Sequence, residues 1–128
     1  MRTIMKWIAA LAFIGAFAAS CAEMDESYDG SFWKGEYVIQ TNPVGIIEVI
    51  FDAGSNQCTV AFGLKGSDVL TAEKFEARWS RRNRFALYSI AGGQSLLCYS
   101  GSISGDQMTL KALNCDSVAE SFVLSRFL

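Results

Sequence analysis

The stretch Gln107-Met108-Thr109-Leu110-Lys111-Ala112-Leu113 decides the fold. Met108, Leu110 and Ala112 are apolar, and the residues between them, Thr109 and Lys111, are polar. Successive side chains of an extended strand point to opposite faces, so a period of two marks a strand with one face buried. The pattern recurs upstream. Cys58, Val60 and Phe62 alternate with their neighbours, and Phe75, Ala77 and Trp79 alternate with Lys74, Glu76 and Arg78. No helical period is sustained from Phe32 onward. Instead, β-rich runs follow one another at 32–40, 44–51, 57–63, 73–79, 84–90, 95–103, 107–113 and 120–127, with a weaker one at 68–70. Turn signals separate them: Asn42-Pro43, Asp52–Asn56, Lys65-Gly66-Ser67, Arg82-Asn83, Gly92-Gly93, Ser104-Gly105-Asp106 and Asn114–Ser117. Such spacing predicts a sandwich or a barrel. Every link is short enough for a hairpin, so sequential strands should pair as a meander, and closing about eight of them removes exposed edges. The expected fold is all-β, a small antiparallel up-and-down β-barrel preceded by a signal-peptide helix.

Residues 7–19 (WIAALAFIGAFAA) carry no charge. Arg2 and Lys6 precede them, and the run exits through the small residues Ala18, Ala19 and Ser20. These are the three parts of a secretory signal, and the run is shorter than the roughly 20 apolar residues a membrane span needs. The expected organisation is a signal peptide at 1–20, a flexible acidic tether at 21–31 and a barrel domain at 32–128. Loss of Arg2 and Lys6 with the leader takes Lys+Arg from 11 to 9 against 13 acidic residues, a formal charge of −4. A mildly acidic domain argues against a nucleic-acid partner, which needs a basic face. The chain has no histidine and no Cys-x-x-Cys spacing. No metal site, cofactor or catalytic residue is therefore predicted, and the acidic residues Glu36, Glu48, Glu73 and Glu76 mostly occupy outward strand positions.

The tetrad Ala18-Ala19-Ser20-Cys21 resembles the lipobox of bacterial lipoproteins, with Ala18 where that family prefers Leu. The resemblance implies cleavage before Cys21 and acylation of its sulfur and new amino terminus. Two or three acyl chains hold a protein stably, at about 0.8 kcal/mol per buried methylene. The implied address is the bacterial cell envelope, lipid-anchored at the outer membrane. Downstream, Trp33-Lys34-Gly35-Glu36-Tyr37, Gly101–Leu110 and Glu120–Arg126 resemble the small lipocalin-like lipoproteins of Bacteroidetes. That group implies a reduced eight-stranded barrel closed at one end. In the wider superfamily a first-strand Trp stacks on an Arg near the last strand, a structural role that Trp33 and Arg126 could fill here. The glycine, however, follows the tryptophan as Trp33-x-Gly35.

A barrel of this size is either just filled by its side chains or holds one small ligand. Tyr37, Phe62, Trp79 and Tyr88 are the inward candidates for lining such a site, and Trp33, Phe51, Phe75 and Phe122 share the interior. The arginines of Arg78-Trp79-Ser80-Arg81-Arg82-Asn83-Arg84 read as a solvated hairpin tip. Among the cysteines, Cys98 and Cys115 are the likeliest disulfide pair. With Gly105-Asp106 as a two-residue turn, Cys98 faces Leu113 and Cys115 lies one step beyond on the same face, which requires the strand to fray near Asn114. Cys58 reads as a buried free thiol. The expected function is a lipid-anchored, non-enzymatic barrel binding a small hydrophobic or amphiphilic ligand. The alternative is a filled barrel acting on an envelope protein, as an inhibitor or accessory subunit.

Overall fold

A computed structural model describes residues 24–38, 44–90 and 95–128. The expected signal peptide and Cys21 lie outside the described residues. Eight strands in chain order, β1 (Phe32–Val38), β2 (Val44–Phe51), β3 (Gln57–Leu64), β4 (Leu70–Arg81), β5 (Arg84–Ser89), β6 (Leu96–Ser104), β7 (Gln107–Ala112) and β8 (Ser121–Arg126), form a closed barrel. Each strand pairs antiparallel with the next, and β8 returns to β1. The meander and its closure are those the alternation predicts. The weak run at 68–70 is not a strand of its own: Leu70 opens the long β4 and pairs with Gly63.

Alternation sorts the side chains. On β7, Met108 and Leu110 are buried and Thr109 and Lys111 exposed. On β2 the buried positions are Gly45, Ile47, Val49 and Phe51, which leaves Ile46 and Ile50 half-buried on the outer wall. Lys34, Lys74, Arg78 and Lys111 project outward from mid-strand positions. A wall so charged is built for water, since a barrel facing lipid carries an apolar outer band.

Two irregularities re-aim the chain. The β4–β5 ladder skips Ser80 between Trp79 and Arg81. The β5–β6 ladder skips Cys98, because Leu87 pairs with Tyr99 and Tyr88 with Leu97. Bulges of this kind bend a strand and tighten its twist, as barrel closure requires. The β6–β7 turn has two residues, with Gly105 at φ 61°, a conformation that costs glycine little.

The interior is closely filled. Trp33, Ile47, Val49, Cys58, Leu87, Met108, Leu110 and Leu124 are 0% accessible, touching neither bulk water nor a water-sized void. Space for the large rings comes from glycines directly across the ladder. Tyr37 faces Gly45, and Phe85 faces Gly101. A Cβ on Gly45 would lie 2.3 Å from the Tyr37 ring, and one on Gly101 would lie 2.2 Å from the Phe85 ring. Overpacking of this kind costs about 1–3 kcal/mol. Gly101→Ala should therefore lower stability in urea by about that amount, and adding Phe85→Leu should recover part of it despite the smaller core side chain.

Candidate functional site

At one end the barrel is sealed from within. Phe51, Trp79 and Phe85 form a ring cluster with centroids 4.9–5.3 Å apart. Tyr28 stacks on Trp79 at 5.8 Å and meets the edge of Trp33 at 6.2 Å. Tyr28 belongs to a single 3-10 turn, Glu26–Tyr28, capped by the Asp25 carboxylate, which accepts from the Ser27 N–H. The tether expected over 21–31 is thus corrected for its second part. Met24 and Tyr28 pack on the core, Ser31 is buried, and Asp29 accepts from the Gly54 N–H at 2.9 Å.

Trp33 and Arg126 are directly paired across β1 and β8. The guanidinium lies 5.7 Å from the Trp33 ring and 6.0 Å from the Tyr28 ring. It also donates to the Leu128 carbonyl at 3.1 Å and to the Ser27 carbonyl. The Trp33 indole N–H donates to the Ser31 hydroxyl at 2.8 Å. The pair therefore clamps the 3-10 turn and the chain end onto the closed end.

At the other end the strands open into loops. Tyr37, Phe62 and Phe122 sit beneath them, edge to face or tilted, with centroids 5.4–6.1 Å apart. The structure splits the expected ligand set. Tyr37 and Phe62 meet under the loops, while Trp79 is in the closed end. Tyr88 is outside: Phe85 and Leu87 take the inward positions of β5, so Tyr88 falls on the outer wall. There it lies beneath the Arg78 guanidinium, 4.0 Å from its ring centroid. The Tyr88 expectation rested on an apolar run whose phase a period of two could not fix, because both faces of that run carry bulky residues.

Cys98 and Cys115 form a disulfide with Cα atoms 4.8 Å apart. The Leu113 N–H donates to the Cys98 carbonyl at 2.8 Å, and the chain then leaves the ladder, with the Asn114 side chain donating to the Leu97 carbonyl at 3.1 Å. Cys58 is free and buried. Burial, with a smaller contribution from Asp52, pushes its thiol well above the usual range. Burial likewise raises Tyr37 and Tyr99.

The arginine-rich hairpin spreads out. Arg78 pairs with Glu76 at 2.9 Å and Arg82 lies 3.9 Å from Asp25, whereas Arg84 has no ion pair among the described residues. Beside Arg84 an open recess of about 1260 Å³ runs from Met24 and Gly54–Asn56 at the closed end onto the outer wall of β4–β7. A smaller one, about 220 Å³, lies over Gly35 between Ile46 and Phe127. Its outer-wall position, and that of the larger recess, became visible only once the register set which residues of four strands lie side by side. Among the described residues no three His, Cys, Asp or Glu side chains gather as metal ligands. Comparison with family models, curated proteins and solved structures returned no match.

A raised acid pKa in the fold stabilises the protonated form, in full below the unfolded value and progressively less as pH climbs above it. Unfolding stability should therefore hold up to about pH 8.5, the range of a free thiol, and fall above it as unfolded Cys58 and then the tyrosines ionise. A chromogenic thiol reagent should find Cys58 unreactive in the native protein and fully reactive in denaturant. Reduction of Cys98–Cys115, which spans 17 residues, should cost about 2–4 kcal/mol by urea titration.

Proposed function

We propose that the chain is a lipid-anchored, non-enzymatic β-barrel of the bacterial cell envelope that works through its outer surface, as an interaction module such as an inhibitor or accessory subunit. The filled interior carries this reading. A barrel that encloses a small hydrophobic or amphiphilic ligand needs a void of about 300 Å³ or more. The inward side chains of the middle layers, at 0% accessible, line nothing of that size.

Exposed apolar side chains add support. Among the described residues, eight of the eleven large hydrophobics exposed to water are at the loop end: Val38, Leu64, Val69, Leu70, Ile90, Leu96, Leu113 and Val118. Single exposed apolar residues are ordinary, whereas a ring of them at one end is the composition of a contact surface. The anchor suits such a geometry. Cys21 stands three residues before Met24, which packs at the closed end, so its reach is about 10 Å. On this reading the closed end rests near the lipid and the apolar rim faces away from it.

Four measurements test the proposal. Purified protein lacking its lipid should bind no apolar fluorescent probe stoichiometrically. A photo-cross-linker at Leu64 or Leu113 should capture one defined envelope protein in intact cells, while one at Lys34 on the barrel wall should not. Intact mass should show acylated Cys21, and Cys21→Ser should release the protein from the membrane fraction. An enclosed probe or an unmodified thiol would sink the corresponding half of the reading.

A further inference from the structure

The larger recess has a chemistry that neither the rim nor the anchor uses. Its floor and walls follow from register across β4–β7. Arg78 pairs with Ala86, Ala86 with Ser100, and Ser100 with Lys111. The adjacent row runs from Arg84 to Ser102 to Thr109. Small side chains thus form the middle of the wall, with long ones raised on either side, and this is why the surface is concave there. Neighbouring strands are about 4.8 Å apart and each residue advances about 3.4 Å, so Arg84 on β5 and Lys111 on β7, one row and so two residues apart, stand diagonally about 12 Å apart across the trough. Both are exposed, and neither has an ion-pair partner among the described residues. Ser100, Ser102 and Thr109 place hydroxyl groups between them.

We propose that this trough binds an acidic glycan, a chain of sugars bearing carboxylates, laid across β5–β7 with its carboxylates on Arg84 and Lys111 and its hydroxyls on Ser100, Ser102 and Thr109. Charge complementarity is local on a protein whose overall charge is negative: Arg84 and Lys111 are unpaired among the described residues, Arg78 is held by Glu76, and the lining carboxylate, Asp29, lies at the closed end on the Gly54 N–H. Guanidinium and ammonium groups bind carboxylates through charge-assisted hydrogen bonds. Serine and threonine hydroxyls both donate and accept, as sugar hydroxyls do.

Other occupants fit the wall less well. An extended acidic peptide gains most of its affinity on a sheet by adding a strand to an edge. Strands β5, β6 and β7 each have both neighbours, so no backbone edge is offered. A single-stranded nucleic acid needs an open aromatic face for its bases. The Tyr88 ring is already covered by Arg78, and Arg78 is held by Glu76 and, at 3.3 Å, by the Ser95 hydroxyl.

The test uses the full mature protein and three probes of equal length: an oligogalacturonate, the neutral galactose oligomer and a poly-glutamate peptide. The expected result is saturable binding of the oligogalacturonate, weakening as salt is raised, with no binding of the neutral oligomer and at least tenfold weaker binding of the peptide. Arg84→Gln with Lys111→Gln should weaken oligogalacturonate binding about tenfold or more, since each removes a charge-assisted hydrogen bond. Ser100→Leu, which fills the floor and keeps both cations, should do the same. Lys65→Gln, at the opposite end and paired with Glu36, should change nothing. Urea midpoints of all variants identify any that lose the fold. No binding, equal binding of the peptide, or binding that survives both Ser100→Leu and loss of the two cations overturns the proposal. These outcomes are independent of whether Cys21 carries lipid or a partner docks on the rim.

Discussion

The architecture depends on one narrow seam. Seven of the eight strand pairs are hairpin neighbours, but β1 and β8 must find each other across nearly the whole domain, and their ladder holds only Trp33 with Arg126 and Lys34 with Ser125. Hydrogen bonds beyond the strands lengthen it: the Phe32 N–H donates to the Leu128 carbonyl at 3.2 Å, and the Phe127 N–H donates to the Phe32 carbonyl at 2.7 Å. Arg126 then ties this edge to the 3-10 turn below. Without the seam, β1 and β8 would both be free edges, and a two-edged sheet of eight strands is an invitation to aggregate.

Closure fixes the interior volume, and the interior decides what kind of function the fold can have. An eight-stranded barrel has room for its own side chains or for one small ligand, and the side chains decide which. Here aromatic rings occupy both ends, and branched aliphatic residues and Met108 occupy the middle. Gly45 and Gly101 fit into this arrangement as missing volume rather than as flexible backbone, since each lies directly beneath a ring that leans over it. Among the described residues, the side chains that close the middle of the barrel leave no enclosed void between them.

Alternation makes the strands, their order and most of the inward residues legible in the sequence. On β7, and on β4 from Lys74 to Trp79, one face is apolar and the other polar, so which side is in follows from composition alone. On β2 and β5 both faces carry apolar residues, and there the pattern does not say which side is in; Tyr88 is the result. Residues 24–31 were legible only as polar chain, because what orders them is tertiary: rings from distant strands, one carboxylate on a turn and the Arg126 guanidinium. The outer trough was invisible for a related reason. Arg84, Ser102 and Thr109 are unremarkable in order of sequence and become neighbours only through pairing across three strands.

The seam also constrains when the fold can come into being. Trp33 must wait for Arg126, so no stretch of chain ending short of β8 can complete the barrel, and hairpins formed earlier lack the partner that covers their apolar side. Seven pairings are local, and it is the eighth, which closes a loop of nearly the whole domain, that must come last. For a polypeptide that threads a translocation channel as an unfolded strand, late maturation is an advantage. On the proposed envelope reading, this chain would stay pliable during passage and become a solid object only once its final strand had arrived.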